Sequence, residues 1–430
     1  MKKILTLLLA LWMLTGCVAM AAENQLVVGS TTAMSGAFFT DLFGSNTADM
    51  DVRALLHGYN LMSWDNETGT YQINDSVVAG MAVSKDAQNN RVYTFDLYGD
   101  LKFSDGSAIT AKDYAFSILL TASPELAKLG GQSAAVGAIW GMDAYQSGKS
   151  SVLRGVRLLS DTQMSITISK AYEPYFYEMA LFDYSPYPIS VLAPGCKVVD
   201  TEKGVGIVNA SGAGDALFTA GLLQKTILDA ATGYMSHPSV VSGPYTLTSY
   251  DAQSGTASFA INPYYKGNEE GEKPSIETIV YRSVANDEAI DLLLSGEVDL
   301  LNKMVAADTV SKGIQSTADQ PFSVANYPRS GLSMISFSCE RQTVSSKAVR
   351  QAIASCFDRD ALVKAYTGNF GLKANGYFGI GQWMYQLAAG TIPPPVVDLP
   401  ANATAKETAA YEKTVAQWDA LSLDKLKDYP

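Results

Sequence analysis

The stretch from Pro274 to Leu301 constrains this chain more than any other. Thr278-Ile-Val-Tyr281 reads as a strand, and Asn286 can cap a helix in which Ala289, Ile290, Leu293 and Leu294 share one face. Gly296 ends that helix, and Val298-Asp-Leu-Leu301 reads as a second strand. A strand that returns through a helix of about ten residues runs parallel to the first, in a right-handed α/β layer. The segment therefore places the chain in the α/β class.

The rest of the chain alternates in the same way. Gln25–Gly29 reads as a buried strand leading into a Ser/Thr/Gly-rich loop at 30–36, and Asp49–Tyr59 as a helix. Arg91–Tyr98 is a strand with Tyr93, Phe95 and Leu97 on one face, and Thr110-Ala-Lys-Asp113 is a capping box for a helix through Leu120. Met164–Ser169 and Tyr245–Tyr250 are strands, Tyr172–Phe182 a short aromatic helix, and Asp215–Asp229 a longer one. Leu332–Ser338 reads as a further strand. Helices follow at 346–357 and 360–367, with Asp358 as cap and Gly368 as stop. Thr404–Glu407 opens a last helix bearing Tyr411, Val415 and Trp418.

Composition sets the class of protein. With 430 residues, 47% hydrophobic and 17% charged, the chain can bury a sizeable core and form two to three domains. A net charge of −12 excludes nucleic-acid binding through a basic face, and the two histidines, His57 and His237, show no ligand spacing. Met1-Lys2-Lys3 precedes an apolar run, Ile4–Leu14, that suits a signal peptide and falls well short of the roughly 20 residues that span a bilayer. The run ends in Leu14-Thr15-Gly16-Cys17, which resembles a bacterial lipobox in which the cysteine is lipidated. Ala19-Met20-Ala21 would serve ordinary cleavage instead. The remaining cysteines, Cys196, Cys339 and Cys356, make no disulfide scaffold, and Cys356 among Ala352, Ile353 and Phe357 reads as a small buried hydrophobe.

Motifs for covalent chemistry are sparse. Ser211-Gly-Ala-Gly-Asp215 resembles the anion-hole segment of ribokinase-like sugar kinases, but the match departs at Thr219, and an exported chain has no ready ATP. An acid near a helix start is explained by the helix dipole alone. Gly204-Val-Gly206 is too short for a dinucleotide fingerprint, and the sequence has no G-x-S-x-G elbow, H-E-x-x-H or EF-hand loop. Of the 23 tyrosines, Tyr93, Tyr172, Tyr175, Tyr177, Tyr184, Tyr187 and Tyr245 bring flat amphipathic faces to strand ends and loops, as packing or as the lining of a cleft.

Several segments, taken in order, resemble the extracytoplasmic solute-binding proteins of peptide- and nickel-type ABC importers. They are Leu55-Leu-His-Gly-Tyr59, Arg91–Tyr98, Lys102-Phe-Ser-Asp-Gly106, Thr110–Ser117, Ser242-Gly-Pro-Tyr-Thr-Leu247 and Asn262-Pro-Tyr-Tyr265. Leu294-Ser-Gly-Glu-Val-Asp299 and Ala348–Ile353 leading to Asp358-Arg359 complete the series, which runs from about Gln25 to Tyr385. The resemblance implies a two-lobed, periplasmic-binding-protein-like fold, type II, in its large peptide-binding variant. It implies hinge closure on a ligand and docking on a membrane permease, with no covalent chemistry. Family members run further than Pro430, so the second lobe is expected to be incomplete, and the family's acidic residue for the peptide amine cannot be carried over.

The expected organisation is a signal peptide with lipobox at 1–17, a first lobe at 18–243 and a second at 244–430, the crossing lying at Ser242-Gly243-Pro244. The resemblance puts a ligand-facing loop at Ser45-Asn46-Thr47, whose polar groups equally suit plain helix capping. Tyr245, and Trp383 with Tyr385 in a glycine-flanked loop, are the other ligand-binding candidates. Cys17 is the lipid anchor. The expected protein is a monomer outside the cytoplasmic membrane, with peptide as ligand and an ABC permease and ATPase as partners. It needs no cofactor, metal or nucleic acid. A nickel-chelate, heme or oligosaccharide binder on the same scaffold, a secreted hydrolase, and a sensor that has lost transport are the alternatives.

Overall fold

The computed structural model describes residues 24–65, 70–132, 137–172, 178–318, 320–326, 332–368 and 370–374, with nine single positions between 379 and 412. They divide into two bodies, one within Met1–Ser63 and Tyr71–Lys303, the other within Trp64–Thr70 and Met304–Pro430. The expected crossing at Ser242-Gly243-Pro244 lies inside the first body.

A mixed five-stranded sheet explains why. Its order is Tyr245–Asp251, Thr256–Ile261, Thr278–Ser283, Gln25–Ser30, Leu300–Leu301. The first three strands run antiparallel and the last three parallel, with Val28 opposite both Tyr281 and Leu300. The crossover is formed as expected, through the helix Ala289–Ser295, and Gly296 ends that helix in a left-handed turn at φ 76°. Its two strands do not touch each other, because Gln25–Ser30 lies between them. The N-terminal strand is therefore built into the layer formed by residues 245–301. Two details differ from expectation. The helix starts after Glu288, two residues beyond Asn286, and the second strand contributes only Leu300–Leu301 to the ladder. One core of the body forms on this sheet, where Val28, Phe38, Val52, Leu56, Tyr245, Phe259 and Tyr281 meet.

The larger core of the same body lies on a four-stranded antiparallel sheet, ordered Val78–Lys85, Arg91–Leu97, Gln163–Ile168, Val156–Leu158. Tyr93, Phe95 and Leu97 are all buried there, as their alternation predicts. A three-stranded sheet of Val152–Leu153, Gly204–Asn209 and Cys196–Thr201 adjoins the helix Ala111–Thr121. That helix is apolar nearly all round and buried nearly all round, the arrangement such composition requires. Its first turn is held by Asp113, whose carboxylate accepts the Thr110 N–H at 2.8 Å and the Thr110 hydroxyl at 2.9 Å.

The structure departs from sequence expectation in the middle of the chain. The helix expected over Asp215–Asp229 is only Ala220–Thr226, capped by the Thr219 hydroxyl. The glycine-rich turn before it is folded around Asn209, whose side chain accepts from Leu217 N and donates to the carbonyls of Ala213 and Asp215. Asp215 therefore does not stand at a helix start. Of the helix expected over Tyr172–Phe182, the described residues form 3-10 turns, Lys170–Tyr172 and Glu178–Phe182, and 173–177, Tyr175 and Tyr177 among them, lie outside the described residues.

Among the described residues, the second body carries the amphipathic helices Ala307–Ser316, Lys347–Ser355 and Arg359–Thr367. Asp358 caps the last through the amides of Asp360 and Ala361, and Gly368 ends it at φ 58°. Leu332–Ser338 forms no strand, although its residues alternate. Cys356 is exposed rather than buried, because Lys347–Ser355, the helix that it ends, buries none of its residues. Val415 and Trp418 lie outside the described residues.

Candidate ligand-binding site

In open α/β layers, ligands gather at the carboxyl ends of parallel strands where the strand order changes direction. Here that edge is made by the loop after Gln25–Ser30, the end of Thr278–Ser283 and the segment Asn302–Lys303 after Leu300–Leu301. One helix, Thr47–Leu56, braces both sides of it, through two aspartates two residues apart.

Asp49 holds the loop. It is fully buried, and its carboxylate accepts Ser35 N at 2.8 Å, Ser35 Oγ at 2.7 Å, Gly36 N at 3.2 Å and Asn46 N at 3.1 Å. Four donors offset the cost of burying a charge. Gly36 sits at φ 86°, a left-handed conformation open to glycine without strain. Asp51 holds the other side: it accepts the Tyr281 hydroxyl at 2.9 Å and Asn302 Nδ2 at 2.7 Å, and it pairs with the Lys303 ammonium. Burial, together with the Asp51 carboxylate, pushes the Tyr281 phenol well above its ordinary range.

Ser45, Asn46 and Thr47 are brought together at the start of this helix. Asn46 is its cap: Oδ1 accepts the amides of Ala48 and Asp49, and Nδ2 donates to Ala33 O. The Ser45 hydroxyl accepts from Arg53, whose other terminal nitrogen donates to Ala37 O. Thr47 Oγ1 stands 3.5 Å from Thr32 Oγ1. The three residues thus shape the loop at 30–37 by bonds to it and to their own helix. Tyr245 is buried in the sheet core, where its hydroxyl donates to Ile276 O. Tyr385 belongs to the second body. Cys17 and Trp383 lie outside the described residues.

Behind the helix, His57 is half-buried and packed against Phe39, Tyr187 and Tyr234, with Nε2 donating to Phe38 O at 2.9 Å. Desolvation lowers its pKa to about 4, so it is neutral at pH 7. The chain passes from the larger core into the sheet at Ser242-Gly243. Gly243 N donates to Leu56 O, and Ser242 Oγ bonds both Gly58 N and Gly58 O. A Cβ on Gly243 would fall 2.5 Å from Leu55 O, so only glycine fits this backbone crossing.

Sequence reasoning missed Asp51, Tyr281, Asn302 and Lys303. A signal was present, since Asn302-Lys303 directly follow a strand expected to be parallel. Among the described residues, no cluster of three His, Cys, Asp or Glu could hold a metal ion, and no helix is long and apolar enough to cross a membrane.

Residues 76–412 match the model of the bacterial extracellular solute-binding proteins, family 5 Middle. The chain belongs to this family. Family 5 proteins bind solutes outside the cytoplasm rather than act as enzymes. Among relatives, the periplasmic oligopeptide-binding protein OppA of Escherichia coli is 24% identical over 305 residues, covering 69% of this chain and 48% of that protein. A dipeptide-binding protein of Lactococcus lactis is 26% identical over 338 residues, covering 74% of this chain and 54% of the relative. The chain thus spans about half the length of these relatives. Of solved structures, OppA of Burkholderia pseudomallei superposes with a TM-score of 0.56 at 17% identity, covering 93% of this chain and 68% of that one. AppA of Bacillus subtilis, solved with a nonapeptide, gives 0.54 at 18%, covering 91% and 63%. At such identity the likeness establishes the fold, that of the OppA-type periplasmic binding proteins, as expected from the sequence.

Proposed function

We propose that this family 5 protein is a lipid-anchored receptor that captures peptides outside the cytoplasmic membrane and delivers them to an ABC importer. The observation that carries the reading is the family match over residues 76–412, within which the relatives above are named for oligopeptide and dipeptide binding. The candidate edge supports it. Its loop at 30–36 is uncharged and rich in Ser and Thr, and Asp49 holds it in a fixed shape, as suits hydrogen bonding to a peptide backbone. The lipid anchor rests on Leu14-Thr15-Gly16-Cys17 behind a basic and apolar leader. Ser45, Asn46, Thr47, Tyr245, Trp383 and Tyr385 remain candidate peptide contacts. Asn46 is engaged through its side chain in the cap and through its backbone N–H with the Asp49 carboxylate, so a peptide reaching it would have to displace one of these bonds.

Thermal unfolding against pools of di- to hexapeptides tests the reading, with oligosaccharides and nickel chelates as comparators. A ligand at a hundred times its Kd adds about 2.7 kcal/mol of stability. A shift with peptides alone is the expected result, and a cooperative transition that no peptide pool moves overturns it. Palmitate labelling, lost in Cys17→Ala, tests the anchor.

A further inference from the structure

The Asp51 carboxylate draws donors from two strand ends. Two of its three partners, Asn302 Nδ2 and the Lys303 ammonium, sit on consecutive residues, and the third, the Tyr281 hydroxyl, comes from Thr278–Ser283, on the far side of Gln25–Ser30. Upstream, the segment they hold is tied to Gln25–Ser30 by Asp299, whose N–H donates to Val27 O and whose carboxylate accepts Val27 N at 2.8 Å. Leu300–Leu301 is a two-residue strand at the sheet edge, paired among the described residues on one side only, with Val28–Gly29. Asn302 N donates to Gly29 O, the last rung of that ladder. Lys303 then turns left-handed, at φ 56°, a conformation that side-chain-bearing residues adopt only where their surroundings hold them. The next residue, Met304, opens the second body.

We infer that Asp51 is a positioning residue: it pins Asn302 and Lys303 at the carboxyl edge of the parallel strands and so fixes the place from which the chain leaves the first body. The inference deepens the peptide-binding reading and rests on it for its ligand. Asp51 need not touch the ligand. Its carboxylate is already engaged by three donors, one of them a cation that neutralises it. It acts by holding one side of the candidate edge, as Asp49 holds the other. Without the pin, a two-residue edge strand followed by a left-handed lysine is free to fray. A ligand that needs the ordered edge then binds more weakly by the fraction of molecules that have lost it.

The test uses the full chain and the variants Asp51→Asn, Lys303→Met and Lys303→Arg, with three readouts: amide exchange at residues 302–304, tryptic cleavage after Lys303 in the lysine-bearing forms, and peptide Kd. In Asp51→Asn, exchange at 302–304 should rise about tenfold, the Lys303–Met304 bond should become cleavable, and Kd should rise at least about threefold. Lys303→Met should follow it in exchange and Kd, whereas Lys303→Arg, which keeps the charge, should stay near the parent. Exchange within twofold of the parent in both Asp51→Asn and Lys303→Met overturns the pin. Released exchange with an unchanged Kd overturns its part in binding. A parent protein that binds no peptide removes the proposed function instead, and exchange at 302–304 still decides the pin.

Discussion

The two bodies use amphipathic pattern alike and bury it differently. In the first, Phe95, Phe116, Ile118 and Leu120 are 0% exposed. In the second, Ile335 is 58% exposed, Leu362 49% and Leu372 69%. Lys347–Ser355 and Arg359–Thr367 are both periodic, the second capped by Asp358, and neither buries a residue. Periodicity thus identifies the face a helix offers, but only tertiary structure shows whether anything covers it.

The largest effects belong to the first body. Phe95 lies wholly inside the larger core, 5.4 Å centroid to centroid from Phe182 in an edge-on contact. Phe95→Ala should cost about 4 kcal/mol in urea unfolding, the loss expected for an aromatic removed from a close-packed interior. A cost below about 1 kcal/mol would mean that the site collapses freely, and the contrast between the bodies would then rest on exposure alone. Gly243→Ala should come next, at about 3 kcal/mol, because the new methyl meets the backbone of Leu55 and Leu56 rather than a side chain able to rotate away.

Burial in the first body also leaves a signature in pH. His57, with a folded pKa of about 4 against an ordinary 6.5, contributes stability that is complete above pH 6.5 and is lost as pH falls toward 4. Asp113 is raised from 3.8 to about 6 by burial, against the Thr110 hydrogen bonds that lower it, so its contribution is complete below pH 3.8 and is lost as pH rises through 6. Between about pH 4 and 6 the two slopes oppose each other. Relative to the parent, Asp113→Asn should make stability rise with pH across this window by about 1.4 kcal/mol per unit, and His57→Gln should make it fall by as much. Equal slopes in all three proteins would show that neither group is desolvated as the packing implies.

How much of this could be read from the sequence depends on distance along the chain. The crossover, the Thr110–Asp113 turn, the Asp358 cap and the Gly368 stop are local signals, and all of them formed. The insertion of Gln25–Ser30 between Thr278–Ser283 and Leu300–Leu301 was invisible, because no local pattern selects a partner some 250 residues away. Asp51 was missed for the same reason: its three donors lie 230, 251 and 252 residues downstream. Leu332–Ser338 fails in the opposite sense, since alternation supplies a strand face but not the neighbour with which a ladder forms. Asn46 lies between these cases. Its pattern allowed both capping and ligand contact, and Asn46→Ala should cost about 1 kcal/mol through the lost cap. Asn46→Asp keeps the acceptor and should recover most of that stability. A peptide Kd changed by both variants would add a ligand role to the cap.

The smallest effect is expected where the pattern is as clean but the face lies open. Leu362 sits mid-helix in Arg359–Thr367, half exposed. Truncating it removes little buried area, and alanine is the better helix former, so Leu362→Ala should change stability by no more than about 0.5 kcal/mol. Read by amide exchange within Arg359–Thr367, it should leave protection nearly unchanged, whereas Phe95→Ala should speed exchange throughout Arg91–Leu97. A loss of 2 kcal/mol or more at Leu362 would mean that this face is covered in solution. The difference between the two bodies would then lie in what covers the second rather than in how its residues pack.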